Sequence, residues 1–279
     1  MGETIGVKPV SHEAQAQPRT WHPGIAMWGT GAFHLFALAL LIARPLWWPL
    51  IVGALVVNHV LLGLIGLWPR SRLLGSNMVR LPDAAIRRRE IALTFDDGPD
   101  PSVTPKVLDI LDAHRAKASF FVIAEKAAQH PELVREIVRR GHSVENHSRR
   151  HSSFFALFGW TALTKDIGAA QEIIEGITGR APAFFRAPMG LRNPMLDPVM
   201  AIKGLRYTAW TRRGFDTVAR DPTAVLQRLT RNLSAGDILL LHDRRCRDQR
   251  PIALEVLPRL LEQIEARGLR PVSLPLAMQ

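Results

Sequence analysis

Asp96 and Asp97 stand side by side in Thr94-Phe95-Asp96-Asp97-Gly98-Pro99. Adjacent carboxylates repel unless something divides their roles, and a metal held by one leaves the other free to act as a base. His147 and His151 lie four apart in His147-Ser148-Arg149-Arg150-His151, so on one helical turn both imidazoles project from one face and can ligate one cation. With Asp97 they offer two nitrogens and one carboxylate, leaving positions for water and substrate, as metal-assisted hydrolysis requires. Zn2+ leads, because it accepts this set and acidifies bound water, while Co2+, Ni2+, Mn2+ and iron share the same ligand types.

Three further segments follow in order: Arg186-Ala187-Pro188-Met189-Gly190, Tyr207-Thr208-Ala209-Trp210 and Leu239-Leu240-Leu241-His242-Asp243. Arg186 ends an apolar run, where a guanidinium can pair with Asp96, orient it and lower its pKa. The turn after it can aim an amide such as that of Met189 at a developing oxyanion. His242 follows a fully apolar stretch, so it sits at a buried strand's exit, where it can protonate a leaving nitrogen; Asp216, in the loop after Trp210, can orient it. Each segment alone has a plainer reading: a solvated Asp-Asp-Gly-Pro turn, a surface histidine pair, a strand-capping arginine, a core histidine. Their co-occurrence in one order favours the chemical one.

The elements that must position these residues alternate. Short β-branched and aromatic runs (91–95, 119–123, 142–146, 183–186, 205–210, 237–242 and 270–274) are separated by stretches of helical period at 105–115, 131–140, 163–176, 222–234 and 252–267. This predicts an α/β fold, a distorted (β/α) barrel of seven strands, since about 190 residues fall short of the roughly 250 of a full eightfold barrel. The motifs end the first, third, fourth, fifth and sixth strands, and strand C-termini converge on one barrel mouth.

Residues 24–43 and 46–68 are two long runs without a formal charge, interrupted by Arg44-Pro45. Each suits a membrane-spanning helix, since about 20 helical residues rise roughly 30 Å. Five of the seven tryptophans fall at or near their ends, as interfacial belts do. His34, Asn58 and His59 inside the runs are expected to contact the partner helix. The predicted organisation is a tail (1–23), a two-helix transmembrane hairpin (24–68), a basic linker (69–89) and a catalytic domain (90–279). Lys8 and Arg19 precede the hairpin, and Arg70, Arg72, Arg80 and Arg87-Arg88-Arg89 follow it. The positive-inside rule then predicts a two-pass protein of a bacterial-type inner membrane with both ends cytoplasmic, export of the large domain to the periplasm being the alternative. The single Cys246 excludes an intramolecular disulfide. A net charge of +11 suits anionic partners; no nucleic-acid motif is present, and membrane lipids account for the basic flanks.

At these motifs the chain resembles the polysaccharide deacetylase family (NodB-homology domain, carbohydrate esterase family 4). The likeness spans about residues 89–274, including Ala118 to His147 (ASFFVIAEKAAQHPELVREIVRRGHSVENH) and Ile177 to Gly190 (ITGRAPAFFRAPMG). It implies a metal bound by Asp97, His147 and His151, with Asp96 as base, Arg186 as its partner and His242 as acid, and hydrolysis of an N-acyl amino sugar to a carboxylic acid and a free amine. Met189 departs from an aromatic often found there, and Thr211-Arg212-Arg213-Gly214-Phe215-Asp216 from a more acidic pattern.

Three arginine pairs follow mouth-lining strands: Arg149-Arg150, Arg212-Arg213 and Arg244-Arg245. With Met189 and Trp210 they are the expected substrate contacts. Guanidinium forks suit phosphate, so a phosphate-bearing, lipid-linked amino sugar is expected over a chitin-like or peptidoglycan polymer. A non-heme iron oxygenase uses a similar ligand set, but its His-x-Asp spacing is missing, and a silent sugar-binding module would not need acid, base and ligands together.

Overall fold

The computed structural model describes residues 18–245 and 250–279. Lys8 and Cys246 lie outside them. Two apolar helices, α1 (Ile25–Ala43) and α2 (Trp48–Gly66), come first, joined by a 3-10 turn at Pro45–Trp47. They face each other through His34 and His59, whose rings lie 5.3 Å apart, and through Thr30 and Asn58 at 3.4 Å. Only 6% of the first apolar window and 17% of the second is buried, so neither is a core helix of the domain that follows.

That domain is one curled sheet of parallel strands. The strands are β1 (Glu90–Asp96), β2 (Ser119–Val122), β3 (Ser143–Asn146), β4 (Phe184–Phe185), β5 (Arg206–Tyr207), β6 (Arg212–Arg213), β7 (Ile238–His242) and β8 (Arg270–Val272). Their order is β5-β4-β3-β2-β1-β7-β6, with β8 pairing β1 at its start. The strands buried on both faces read as continuous apolar runs, as in parallel sheets covered by helices. Around them lie α3 (Asp83–Arg87), α4 (Thr104–Ala113), α5 (Ala124–Gln129), α6 (Pro131–Arg139), α7 (Trp160–Thr178), α8 (Leu196–Ile202), α9 (Pro222–Thr230), α10 (Ile252–Ala266) and α11 (Leu274–Ala277). The main core packs Phe95 and Phe120, stacked at 5.1 Å, beneath the apolar stripes of α4, α6, α9 and α10. Each buried side chain of this size contributes about 1.5–3 kcal/mol.

The seven-stranded path agrees with the expected distorted barrel, with one local difference. The expected strand over 205–210 stops at Tyr207, and β6 begins beyond it. The cause is Arg186: its guanidinium takes the carbonyls of Thr208 and Ala209 at 3.1 and 2.9 Å, acceptors that a further ladder would need. Residues 77–81 fill the resulting gap. Met78 pairs with Thr208, its amide donating to Tyr207 and its carbonyl accepting from Ala209, while the amide of Leu81 donates to Gly236. The stretch expected as a linker thus also forms part of the barrel wall, with Leu74, Leu81 and Ala85 buried.

The apolar helices are tied to this wall at both ends. The amide of Ala26 donates to Leu73, that of Arg192 to Gly66, that of Arg19 to Ala201, and the Trp21 indole donates to Asp197 at 3.0 Å.

Candidate active site

Parallel register brings the chemistry together. Asp96, the last residue of β1, lies level with His242, the last of β7, and with Phe121 of β2. Asn146 closes β3 level with Phe185 of β4, so His147 and Arg186, each one residue further, exit side by side.

Arg186 is fully buried and spends its guanidinium on four acceptors: Asp96 Oδ1 at 2.6 Å, Thr94 Oγ1 at 2.9 Å, and the two carbonyls above. Its guanidinium carbon lies 4.1 Å from the Phe121 ring centroid. Asp96 therefore has one oxygen fixed and the other, Oδ2, turned to the cavity, 3.9 Å from His147 Nε2.

His147 donates its Nδ1–H to the carbonyl of Arg186 at 2.8 Å, which leaves Nε2 as the free lone pair. That nitrogen and His151 Nε2 approach Asp97 Oδ1 at 3.3 and 3.2 Å, and Asp97, His147 and His151 present ligand atoms within 4.8 Å of one another. Asp97 Oδ1 is buried and accepts no hydrogen bond. An anionic oxygen facing two imidazole nitrogens, one of them with its proton committed elsewhere, is the arrangement a divalent cation satisfies. The donor set fits the implied metal.

Burial pushes the Asp97 carboxyl up, but the facing imidazoles of His147, His242 and His151 overcome it and hold the group far below the usual carboxylate range. Burial likewise opposes protonation of His147, and Asp96 and Asp97 outweigh it, raising the imidazole. His151 is lowered by burial and by His147.

One expectation fails. His147 and His151 do not share a helical turn: residues 147–152 form a loop in which Ser148 and His151 have φ of 69° and 54°. Hydrogen bonds outside the motif's spacing shape it. Asn146 Oδ1 accepts the amide of Ser148, and Ser148 Oγ accepts that of His151, each at 2.9 Å. Asn146 is itself anchored by Gln171 at 2.9 Å. Lys126, also missed from sequence, donates to the Asp97 carbonyl at 2.7 Å. The Asn146 and Ser148 bonds are short-range turn motifs, whereas Gln171 and Lys126 reach Asn146 and Asp97 from 25 and 29 residues away, where no local spacing signals them.

Across the cavity, His242 is gripped twice by Asp216, through its backbone amide at 2.8 Å and its ring Nδ1 at 2.9 Å. Burial pulls the imidazole down, and the Asp216 carboxylate beside it outweighs this, raising the pKa. Nε2 is the ring nitrogen left for the cavity that His242 lines.

The cavity, about 190 Å³, is lined by these groups and by Met189, Gly190, Trp210, Arg213 and Arg244. It is smaller than the roughly 300–1,000 Å³ of drug-sized pockets, so it admits one sugar-sized group. Gly190, at φ 76°, is pressed between Trp210 and Pro69; a Cβ there would lie 2.5 Å from the indole and 2.9 Å from the proline. Only glycine fits.

The structure sorts the arginine pairs. Arg213 lines the cavity, its guanidinium carbon 5.3 and 4.9 Å from the ring centroids of Trp210 and Phe215, and Arg244 reaches Asp97 Oδ2 at 3.2 Å. Arg149 and Arg150 instead pair with Glu125. Arg212 is spent on Asp237 and on the carbonyls of Arg231 and Asn232. The backbone amide of Arg245 donates to Asp100, and its side chain does not line the cavity.

Comparison with known proteins agrees with this geometry. The sequence model of the Polysaccharide deacetylase family matches residues 84–208. The chain is 31% identical over 212 residues to a chitooligosaccharide deacetylase of Bradyrhizobium, covering 70% of this chain and 97% of that protein. It is 30% identical over 182 residues to a Bacillus cereus peptidoglycan-N-acetylglucosamine deacetylase, covering 64% and 84%. Among solved structures, the Bc1960 peptidoglycan N-acetylglucosamine deacetylase superposes with a TM-score of 0.67 at 27% identity, covering 72% of this chain and 92% of that one. A family 4 carbohydrate esterase from Streptomyces lividans, bound to acetate, gives 0.60 at 32%, covering 65% and 91%. Ligand cluster, barrel and sequence agree: the chain belongs to the polysaccharide deacetylase (NodB, carbohydrate esterase 4) family of carbohydrate N-deacetylases.

Proposed function

We propose that the protein removes an N-acyl group, acetyl or formyl, from a phosphate-bearing, lipid-linked amino sugar. The observation that carries the hydrolytic part is the pair of adjacent carboxylates with divided duties: Asp97 faces two imidazoles, while Asp96 is held by Arg186 with one oxygen open to the cavity. Asp97, His147 and His151 would hold one divalent ion, Zn2+ by ligand type, which when bound polarises the acyl carbonyl and acidifies water. Asp96 Oδ2 accepts the proton of the attacking water, and Arg186 holds that carboxylate aimed by its bond to Oδ1. His242 Nε2 delivers a proton to the leaving nitrogen as the C–N bond breaks, and Asp216 fixes its tautomer and supports its charge. The products are a carboxylic acid and a free amine.

The substrate class rests on what surrounds the cavity. Arg213 lines the cavity with its charge beside the ligand cluster, and Arg244, paired there with Asp97, adds a second guanidinium, a setting suited to a phosphate. Pro69, which backs the cavity wall at Gly190, follows the end of α2 by three residues. If α1 and α2 span a membrane, the site opens next to the bilayer surface, where a lipid-linked sugar presents its head group. The hydrogen bonds that tie both helices to the domain favour a retained two-pass anchor over a removed leader. The flanking arginines favour a cytoplasmic domain, which meets lipid-linked precursors and not finished wall polymer. Mass spectrometry of total lipids from cells carrying Asp96→Asn tests the proposal: a species heavier by one acyl group supports it, and an unchanged lipid profile with acylated wall polymer would assign the polymer instead.

A further inference from the structure

The hairpin is not the whole apolar surface of this molecule. Beyond Trp68, seven of the eleven exposed large apolar residues among those described follow strand C-termini, on the mouth side of the barrel. Phe154 and Leu157, at 69 and 79% exposure, lie in the loop after His151, Trp160, at 43%, opens α7 at the end of that loop, and Met195 is 48% exposed. The loop is rigidly built. A 3-10 turn at Phe155–Leu157 turns Phe155 inward, its ring 5.5 Å from Phe158 and 5.7 Å from Phe185, and leaves its neighbours outward.

This loop is continuous with the end of α2. Asn193 donates to the carbonyls of Ala156 and Phe158 at 3.0 and 2.8 Å, and the next residue back, Arg192, donates its amide to Gly66 at 3.2 Å. The Arg192 guanidinium also holds the carbonyls of Ser71 and Ser76. Two bonded residues therefore separate the apolar loop from the last turn of the hairpin. A fixed patch with an indole and a phenyl ring beside a helix exit suits the interfacial layer of a bilayer, where such side chains partition.

We infer that Phe154, Leu157 and Trp160, with Met195, dip into the bilayer interface as a third membrane contact, holding the barrel mouth against the lipid surface. The inference rests on the reading of α1 and α2 as membrane spans. Its consequence is that the site takes sugars presented at the membrane plane and excludes chains that must thread in from the aqueous side.

The test uses the full chain with Cys246→Ser, reconstituted in vesicles of phosphatidylethanolamine and phosphatidylglycerol that carry spin-label quenchers both high on the acyl chain and near its end. An environment-sensitive fluorophore is attached to Leu157→Cys, to Val57→Cys in α2, or to Glu262→Cys on the outer helix α10. Quenching of the Leu157 and Val57 probes with loss of most emission, the Glu262 probe keeping its own, supports the inference. A quenched Val57 probe with an unquenched Leu157 probe overturns it while leaving the hairpin intact, and assigns the patch to another occupant. If Val57 is also unquenched, the membrane reading and the inference fail together.

Discussion

Asp216 holds His242 at two points, accepting the backbone amide on Oδ2 at 2.8 Å and meeting ring Nδ1 with Oδ1 at 2.9 Å. One carboxylate thus sets both the position and the protonation of the imidazole. It stays charged to higher pH than an ordinary histidine, as suits a general acid.

Activity should therefore fall on the alkaline side as His242 loses its proton. Asp216→Asn removes the charge that raises this pKa, so the alkaline limb of kcat/KM moves to lower pH. His242→Ala should lower kcat by about 10²–10⁴-fold at neutral pH. Profiles of kcat/KM against pH for the three proteins check this, and an unmoved limb in Asp216→Asn would contradict it.

Arg186→Met leaves Asp96 buried without its partner and frees the carbonyls of Thr208 and Ala209. Breaking a buried ion pair from one side costs about 3–5 kcal/mol. Thermal unfolding of the solubilised full chain should show a clear loss of stability together with loss of activity. A variant that is inactive yet as stable as the parent would mean the pair is only catalytic.

Glu145, a fully buried residue of β3, accepts the amides of Ala183 and Phe184 at the start of β4 through one oxygen, and burial pushes its carboxyl up to about 7. The folded state then binds a proton more readily than the unfolded chain. Stability from this group is greatest at low pH, declines as pH rises from the ordinary carboxyl range toward 7, and is level above. Glu145→Gln keeps the accepting oxygen and removes the titration. Asp243, also pushed up to about 7 by burial, contributes in the same window, so the melting temperature of the variant should fall less steeply than that of the parent, and identical slopes would contradict this role.

Much of this site was legible because its parts are local signals: a polar residue ending an apolar run, followed by a turn. Asp96, Arg186 and His242 were found that way, and parallel barrel geometry turned three distant strand ends into one mouth. What escaped is of two kinds, local competition and remote partners. The 147–151 loop is shaped by Asn146 and Ser148, whose side chains accept amides two and three residues on and so displace the helical turn that the four-residue histidine spacing suggests. The arginine pairs look alike in sequence, and only the folded chain shows Arg149, Arg150 and Arg212 turned to Glu125 and Asp237, Arg244 turned to Asp97 inside the cavity, and Arg213 lining it beside Trp210. The early end of β5 follows from Arg186 taking its ladder acceptors, a tertiary effect.

In the proposed mechanism Asp97, His147 and His151 hold one catalytic cation beside an uncoordinated Asp96. The most direct test is metal content measured in parallel with acyl release from an N-acetylated amino sugar, for the parent, Asp97→Asn, His147→Ala and Asp96→Asn proteins. The parent should carry one equivalent of divalent metal and show chelator-sensitive release, Asp97→Asn and His147→Ala should lose both, and Asp96→Asn should be inactive yet still bind metal. Release that survives chelation, or metal retained by Asp97→Asn and His147→Ala, would contradict it.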